Sequence, residues 1–127
     1  MKISKKTDLA IRILKYLVDK QSLDFISANI IARDLNISYN HLRRIIPLLN
    51  QLGFTESKLG KDGGIKLKQK SFSIPLSTLI KITEVNDTCI NDCTNCIFNR
   101  NCHFEEHTNN ALNLFCEYFD HIYLSDL

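Results

Sequence analysis

Four of the chain's five cysteines fall within fourteen residues, in the stretch CINDCTNCIFNRNC from Cys89 to Cys102. Thiolates are soft donors, so such a cluster can hold zinc or iron–sulfur iron, or trade electrons as a disulfide pair. Structural zinc favours two paired C-x-x-C knuckles, and only Cys93 and Cys96 make one. A redox switch needs no more than two of the thiols. A further pattern takes Cys89, Cys96 and Cys102, spaced x6 and x5, as three thiolates on one iron–sulfur cluster. The residues between them are rich in Asn and Thr and have no regular period. That suits a loop wrapped around a group too large for one helix face. Spacing alone does not choose among these chemistries.

Cys89, Cys93 and Cys96 also spell C-x3-C-x2-C, the cluster pattern of radical S-adenosylmethionine enzymes. Those enzymes need a partial α/β barrel, and the 31 residues after Cys96 read as helical, so no enzyme is expected. The fifth cysteine, Cys116, lies in an apolar stripe and reads as a packing residue. The chain starts basic and then apolar, as an export signal would. Asp8, Arg12 and Lys15 interrupt that run and no small-residue cleavage site follows, so a cytoplasmic protein is expected. In a reducing compartment clustered thiols serve metals or redox chemistry more often than structural disulfides. A composition 44% hydrophobic and 24% charged fits a folded soluble domain, with no membrane partner.

Charge divides the chain. Residues 1–81 carry 15 Lys/Arg against 6 Asp/Glu, while residues 82–127 carry 1 against 8. The first part is suited to a polyanion and the second to another task. The elements agree. Residues 6–20 place Leu9, Ile13, Tyr16 and Leu17 at helical spacing, with Ala10 and Leu14 beside them. Ser27 heads a short helix with Ile30, Ile31 and Leu35 on one side, broken by Asn36 and Ile37. Ser38 then caps a second helix with Leu42, Ile45, Ile46, Leu49 and Leu52 as its stripe, ended by Gly53. Pro47 falls inside this helix and predicts a bend. Next, FTESKL and IKLKQK flank GKDGG as two short strands around a glycine-rich tip.

Two capped helices followed by a basic hairpin make a winged helix-turn-helix. The second helix would enter the major groove of double-stranded DNA through Ser38, Tyr39, Asn40, His41, Arg43 and Arg44. The wing would meet the backbone or the minor groove through Lys58, Lys61, Lys66 and Lys68. A short helix is expected over residues 72–84. A long one is expected over residues 105–124, with Ala111, Leu112, Phe115, Tyr118, Phe119, Ile122 and Tyr123 as a wide stripe. One winged helix has little core to cover that stripe, so a second protomer is its expected partner, as a palindromic operator requires. The fold class is therefore mainly α with a small β-hairpin wing and a long C-terminal dimerisation helix. Residues 1–81 form the DNA-binding domain, 82–104 the cysteine-rich loop, and 105–127 the dimerisation helix.

In this order TDLAIRIL, NHLRRII, LGKDGGIKL, the three spaced cysteines and YFDHIYLSDL resemble the Rrf-type family of bacterial winged-helix regulators, and within it the branch that senses nitric oxide. The resemblance spans nearly the whole chain. It implies a homodimeric repressor whose iron–sulfur cluster, 4Fe-4S in preference to 2Fe-2S, releases DNA when nitric oxide attacks it. It implies Cys89, Cys96 and Cys102 as cluster ligands, the partner's Asp8 as the fourth, and Arg12 as a nearby polar contact. Two departures stand out. Leu59 occupies the wing position where the family has Arg, and Cys93 is an extra thiol. A sister branch, which regulates iron–sulfur cluster assembly, uses His three residues after its last ligand cysteine. Glu105 stands there, between His103 and His107. That branch and a zinc-stapled winged helix remain the alternatives.

Overall fold

The computed structural model describes residues 2–21, 24–85, 96–98 and 102–127. Helix α1 spans Lys5–Lys20. Ser4 starts it from extended backbone, with its Oγ accepting the Thr7 N–H at 3.2 Å. Gln21 stops it in the left-handed region at φ 46°. Ala10, Ile13, Leu14 and Leu17 form its buried face. Helix α2 covers Ala28–Asp34, and helix α3 covers Tyr39–Gln51. Asn36 takes φ 52° in the turn between them, a conformation Asn tolerates better than most side chains. Ser38 caps α3 by accepting the His41 N–H at 3.2 Å, and Leu42, Ile45 and Leu49 face the core. The helix continues across Pro47, whose ring is exposed.

The α2 expectation was rotated. Ser27 makes no side-chain cap bond, and the buried pair is Ile31 and Ala32, with Ile30 left 41% exposed. A seven-residue helix has too few turns for periodicity to fix its inward face.

Strands β1 (Thr55–Lys58) and β2 (Gly64–Leu67) pair antiparallel, with Thr55 opposite Leu67 and Lys58 opposite Gly64. Two devices fasten this hairpin to the helices. Asn50, near the end of α3, accepts from Thr55 Oγ1 at 2.7 Å and donates to Ser57 Oγ at 2.8 Å. Ile26, ahead of α2, exchanges backbone bonds with Ile65 at 2.9 and 2.8 Å. The approach is close enough that a Cβ on Gly64 would lie 2.2 Å from the Ile26 carbonyl oxygen, so only glycine fits.

The single helix expected over residues 72–84 is divided. A 3-10 turn at Gln69–Ser73, helix α4 at Ser77–Ile80 and a π turn at Lys81–Val85 replace it. Pro75 explains the first break, because it forces Ile74 into extended backbone at φ −95°, ψ 120°. The last helix is shorter than expected too. Helix α5 runs Phe104–Tyr118, after which 3-10 turns fold the chain back. Leu76 donates its N–H to the Ile122 carbonyl at 2.8 Å, and Leu124 is fully buried. Phe115 meets Phe119 edge-on at 5.3 Å, and both pack on the core with Ile122. Burial of these groups outweighs continuation of the helix.

One core joins α1, α3, Phe54, Ile65, Leu76, Leu79, Cys116 and Leu124. Among the described residues no helix is long and apolar enough to cross a membrane.

Candidate nucleic-acid interface and cysteine segment

Helix α3 presents Tyr39, Asn40, His41, Arg43 and Arg44 to solvent, each exposed, with exposed Ser38 at the cap. A groove flanks this face on either side. One, of about 360 Å³, lies between α3, the start of α2 and the wing, and Tyr39, Arg43 and Lys58 line it. The other, of about 340 Å³, lies between α3 and the start of α1. Its lining is Lys5, Lys6, Leu9, His41, Arg44 and Ile45. Successive helix residues point roughly 100° apart, so the neighbours Arg43 and Arg44 serve different grooves.

The wing lysines do not act as one set. Lys58 and Lys61 are exposed toward the tip, beside Leu59 at 95% exposure. Lys66 pairs with Glu56 at 3.1 Å and lies 4.7 Å from the centre of the Phe25 ring. Lys66 and Lys68 line a separate groove at the end of α1, with Leu17 and Phe72, and are not brought together with Lys58.

Asp8 sits in the first turn of α1, where a carboxylate complements the helix dipole. It pairs with Arg12 Nε at 3.1 Å, both side chains more than half exposed. One residue earlier, Thr7 is buried and joins α1 to the start of the cysteine segment. Its Oγ1 lies 2.6 Å from Thr83 Oγ1 and also meets the Glu84 carboxylate, which accepts the Ser4 N–H at 2.9 Å. Burial raises the Glu84 carboxyl, but the bonds from Thr7 and Ser4 outweigh it and hold the group below its ordinary value.

Cys89 and Cys93 lie outside the described residues. Cys96 and Cys102 are free, exposed thiols, whereas Cys116 is fully buried and burial pushes its thiol up. The packing role expected of Cys116 is the one it has. Glu105, His103 and His107 are exposed at the start of α5. Among the described residues no three His, Cys, Asp or Glu side chains converge as a metal site. Sequence reasoning missed Lys5, Lys6, Thr7, Thr83 and Glu84. The Lys5–Lys6 pair is visible, but which helix it faces depends on how α1 packs on α3. Thr7 and Glu84 are 77 residues apart and follow no short-range pattern.

Two helices joined by a tight turn, a basic hairpin fastened to them and an exposed cationic helix face define a winged helix-turn-helix protein. Residues 3–127 match the family model described as Rrf2, iron-dependent transcriptional regulator, and the chain belongs to that family. Two relatives named HTH-type transcriptional regulator NsrR illustrate the likeness. The one from Bacillus licheniformis is 32% identical over 100% of this chain and 92% of its own length. The one from Bacillus subtilis is 30% identical over 100% of this chain and 89% of its own. Among solved structures, CymR, the global cysteine regulator of B. subtilis, superposes with a TM-score of 0.70 at 22% identity, covering 99% of this chain and 95% of that one. The IscR of T. potens gives 0.70 at 21% identity, with 99% and 85% covered. At such identity these two structures speak to the fold. The chain is a transcription regulator, and its relatives are named as regulators, not enzymes.

Proposed function

We propose that this regulator is a cytoplasmic homodimeric repressor that binds a palindromic double-stranded operator and releases it in response to nitric oxide, sensed through an iron–sulfur cluster. The observation that carries this reading is the full-length likeness to relatives named NsrR, on a chain whose free thiols at Cys96 and Cys102 face solvent. The donor set suits the group: Cys96 and Cys102 are exposed soft thiols, and the remaining described cysteine is buried elsewhere. Cys89, Cys96 and Cys102 would hold it, with the partner's Asp8 as the fourth ligand and Arg12 beside it. A cluster there, 4Fe-4S in preference to 2Fe-2S, supplies the reactivity toward nitric oxide.

The chain's own residues do the rest. Residues 1–81 bind DNA, 82–104 carry the thiols, and 105–127 contribute the pairing helix. Ser38, Tyr39, Asn40, His41, Arg43 and Arg44 address the major groove, while Lys58 and Lys61 supply charge at the wing tip, with Lys66 and Lys68 set apart near the end of α1. Thr7 and Glu84 join the helix that bears Asp8 to the start of the cysteine loop. A carboxylate is a harder and weaker partner for cluster iron than a thiolate, so Asp8 is the ligand most easily exchanged. In the structure it already has another partner, Arg12.

Isolation without oxygen, followed by a visible spectrum and assays for iron and acid-labile sulfide, tests the reading. A brown protein is expected. Its colour should vanish when Cys89, Cys96 or Cys102 is replaced by Ala and persist in Cys93→Ala and Cys116→Ala. Nitric oxide should then lower its affinity for DNA. A colourless anaerobic protein with stoichiometric zinc would overturn the reading.

A further inference from the structure

The groove between α1 and α3 has no role so far. Its floor is apolar, made by Leu9 and the nearly buried Ile45. Its rim carries three cations, Lys5, Lys6 and Arg44, with His41 beside them, all exposed. Arg12, Lys15, Arg33, Lys66 and Lys81 each pair with a carboxylate. Among the described residues none of the four rim side chains has such a partner. Free positive charge above an apolar floor matches one repeating unit of a nucleic acid strand: an anionic phosphate beside the carbon face of a deoxyribose.

Position supports that occupant. Taken around α3 at roughly 100° per residue, Tyr39, Arg43 and Ile46 fall on one flank, and His41, Arg44 and Ile45 on nearly the opposite one. Asn40 and Pro47 lie between, on the outermost line. The first flank borders the wing groove and the second the α1 groove. A helix seated in a major groove about 12 Å wide has one sugar-phosphate strand on each side of it. The wing serves only one of them. We infer that the groove formed by Lys5, Lys6, Leu9, His41, Arg44 and Ile45 clamps the sugar-phosphate backbone of the other strand, on the side of the recognition helix away from the wing. The inference rests on the DNA-binding part of the proposed function and not on the cluster. The clamp makes α1 a direct DNA contact, so any shift of α1 against α3 is felt at the phosphate without α3 itself moving.

The test uses the full chain isolated without oxygen and a short fluorescent duplex of mixed sequence, titrated over a range of salt. Replacing Lys5→Ala and Lys6→Ala together should weaken binding about 10-fold or more. It should also flatten the plot of log affinity against log salt by about 0.9 per lost phosphate contact. The Lys5→Arg, Lys6→Arg pair should restore the slope. Base preference, read by selection from a randomised duplex library, should be unchanged. Thermal melts of the variants should match the parent, because both lysines are exposed. Unchanged affinity and slope in the Ala pair would overturn the clamp. Decanoate, an anion with an apolar tail, provides the competing arm. If the Ala pair loses decanoate binding but keeps the parent's DNA slope, the groove is a small-molecule site and the clamp is wrong. A colourless, zinc-bound parent with the expected slopes would remove the nitric-oxide reading and leave the clamp standing. A parent that binds duplex without regard to salt would remove both.

Discussion

Glu84 is fixed by the first turn of a helix that begins 79 residues earlier in the chain. Its folded carboxyl lies below the ordinary value of 4.5, so the contribution to stability has a defined sign. It is fully present above pH 4.5 and is lost as pH falls through the lowered folded value. Glu84→Gln should therefore flatten the acid limb of a plot of unfolding free energy against pH and leave the neutral region's slope alone. Urea melts at stepped pH check this. Asp8 is the second informative residue. Its exposed pair with Arg12 is of a kind worth about 0.2–1 kcal/mol, too little to hold it against a better partner. If the partner's Asp8 completes the site, Asp8→Ala should keep much of the cluster. The ratio of DNA affinities before and after nitric oxide should then fall from roughly tenfold or more to about unity. Anaerobic titration of both proteins decides. A variant that binds and releases DNA as the parent does would leave Asp8 a helix-start carboxylate.

At the scale of elements, the wing is the most constrained. Gly64→Ala places a methyl against the Ile26 carbonyl and should cost about 2–3 kcal/mol, a penalty typical of an overpacked site. The unfolding midpoint would record the loss, and faster proteolysis between residues 58 and 64 would locate it. Elements such as this hairpin were legible in the sequence, because glycines, alternation and caps are local signals. Helices α1 and α3 were legible from apolar residues at helical spacing, and α3 also from Ser38, which makes the cap bond. Less was legible wherever tertiary packing decided. Helix α2 turned so that Ala32, not Ile30, went inside. Residues 72–84 broke at Pro75, and α5 stopped at Tyr118 so that Ile122 and Leu124 could join the core. Of the candidate interface, the exposed face of α3 was readable from capping and charge. The place of the α1 lysines was not, since the groove they line is made by two elements.

At the scale of the molecule, α5 carries an apolar line that nothing among the described residues covers. Phe104, Leu114 and Tyr118 on α5 are 65%, 68% and 71% exposed, and Ala111 lies between them. They recur at spacings of seven, three and four, the seam of a paired helix. It shares Ala111 and Tyr118 with the stripe expected from the sequence, while Phe115, Phe119 and Ile122 of that stripe pack on the core instead. If the seam pairs two protomers, Leu114→Asp should shift the sedimentation coefficient to that of a monomer. Affinity for a two-half-site operator should fall on the order of 100-fold through lost avidity, while binding to a single half-site changes little.

The backbone strap between Ile26 and Ile65, with Asn50 bridging α3 to β1, ties the wing to both helices and resists its swinging relative to the recognition helix. A reader fixed at two points measures the angle between adjacent grooves as well as their chemistry. Overwound or underwound duplex presents the minor groove at a shifted azimuth, and the untwisting needed to seat both points costs deformation energy. Occupancy at one and the same site should thus differ between relaxed and negatively supercoiled minicircles. If the wing and α3 seat together on the operator, torsion in the template would act on binding as a mechanical input, separate from any chemical signal.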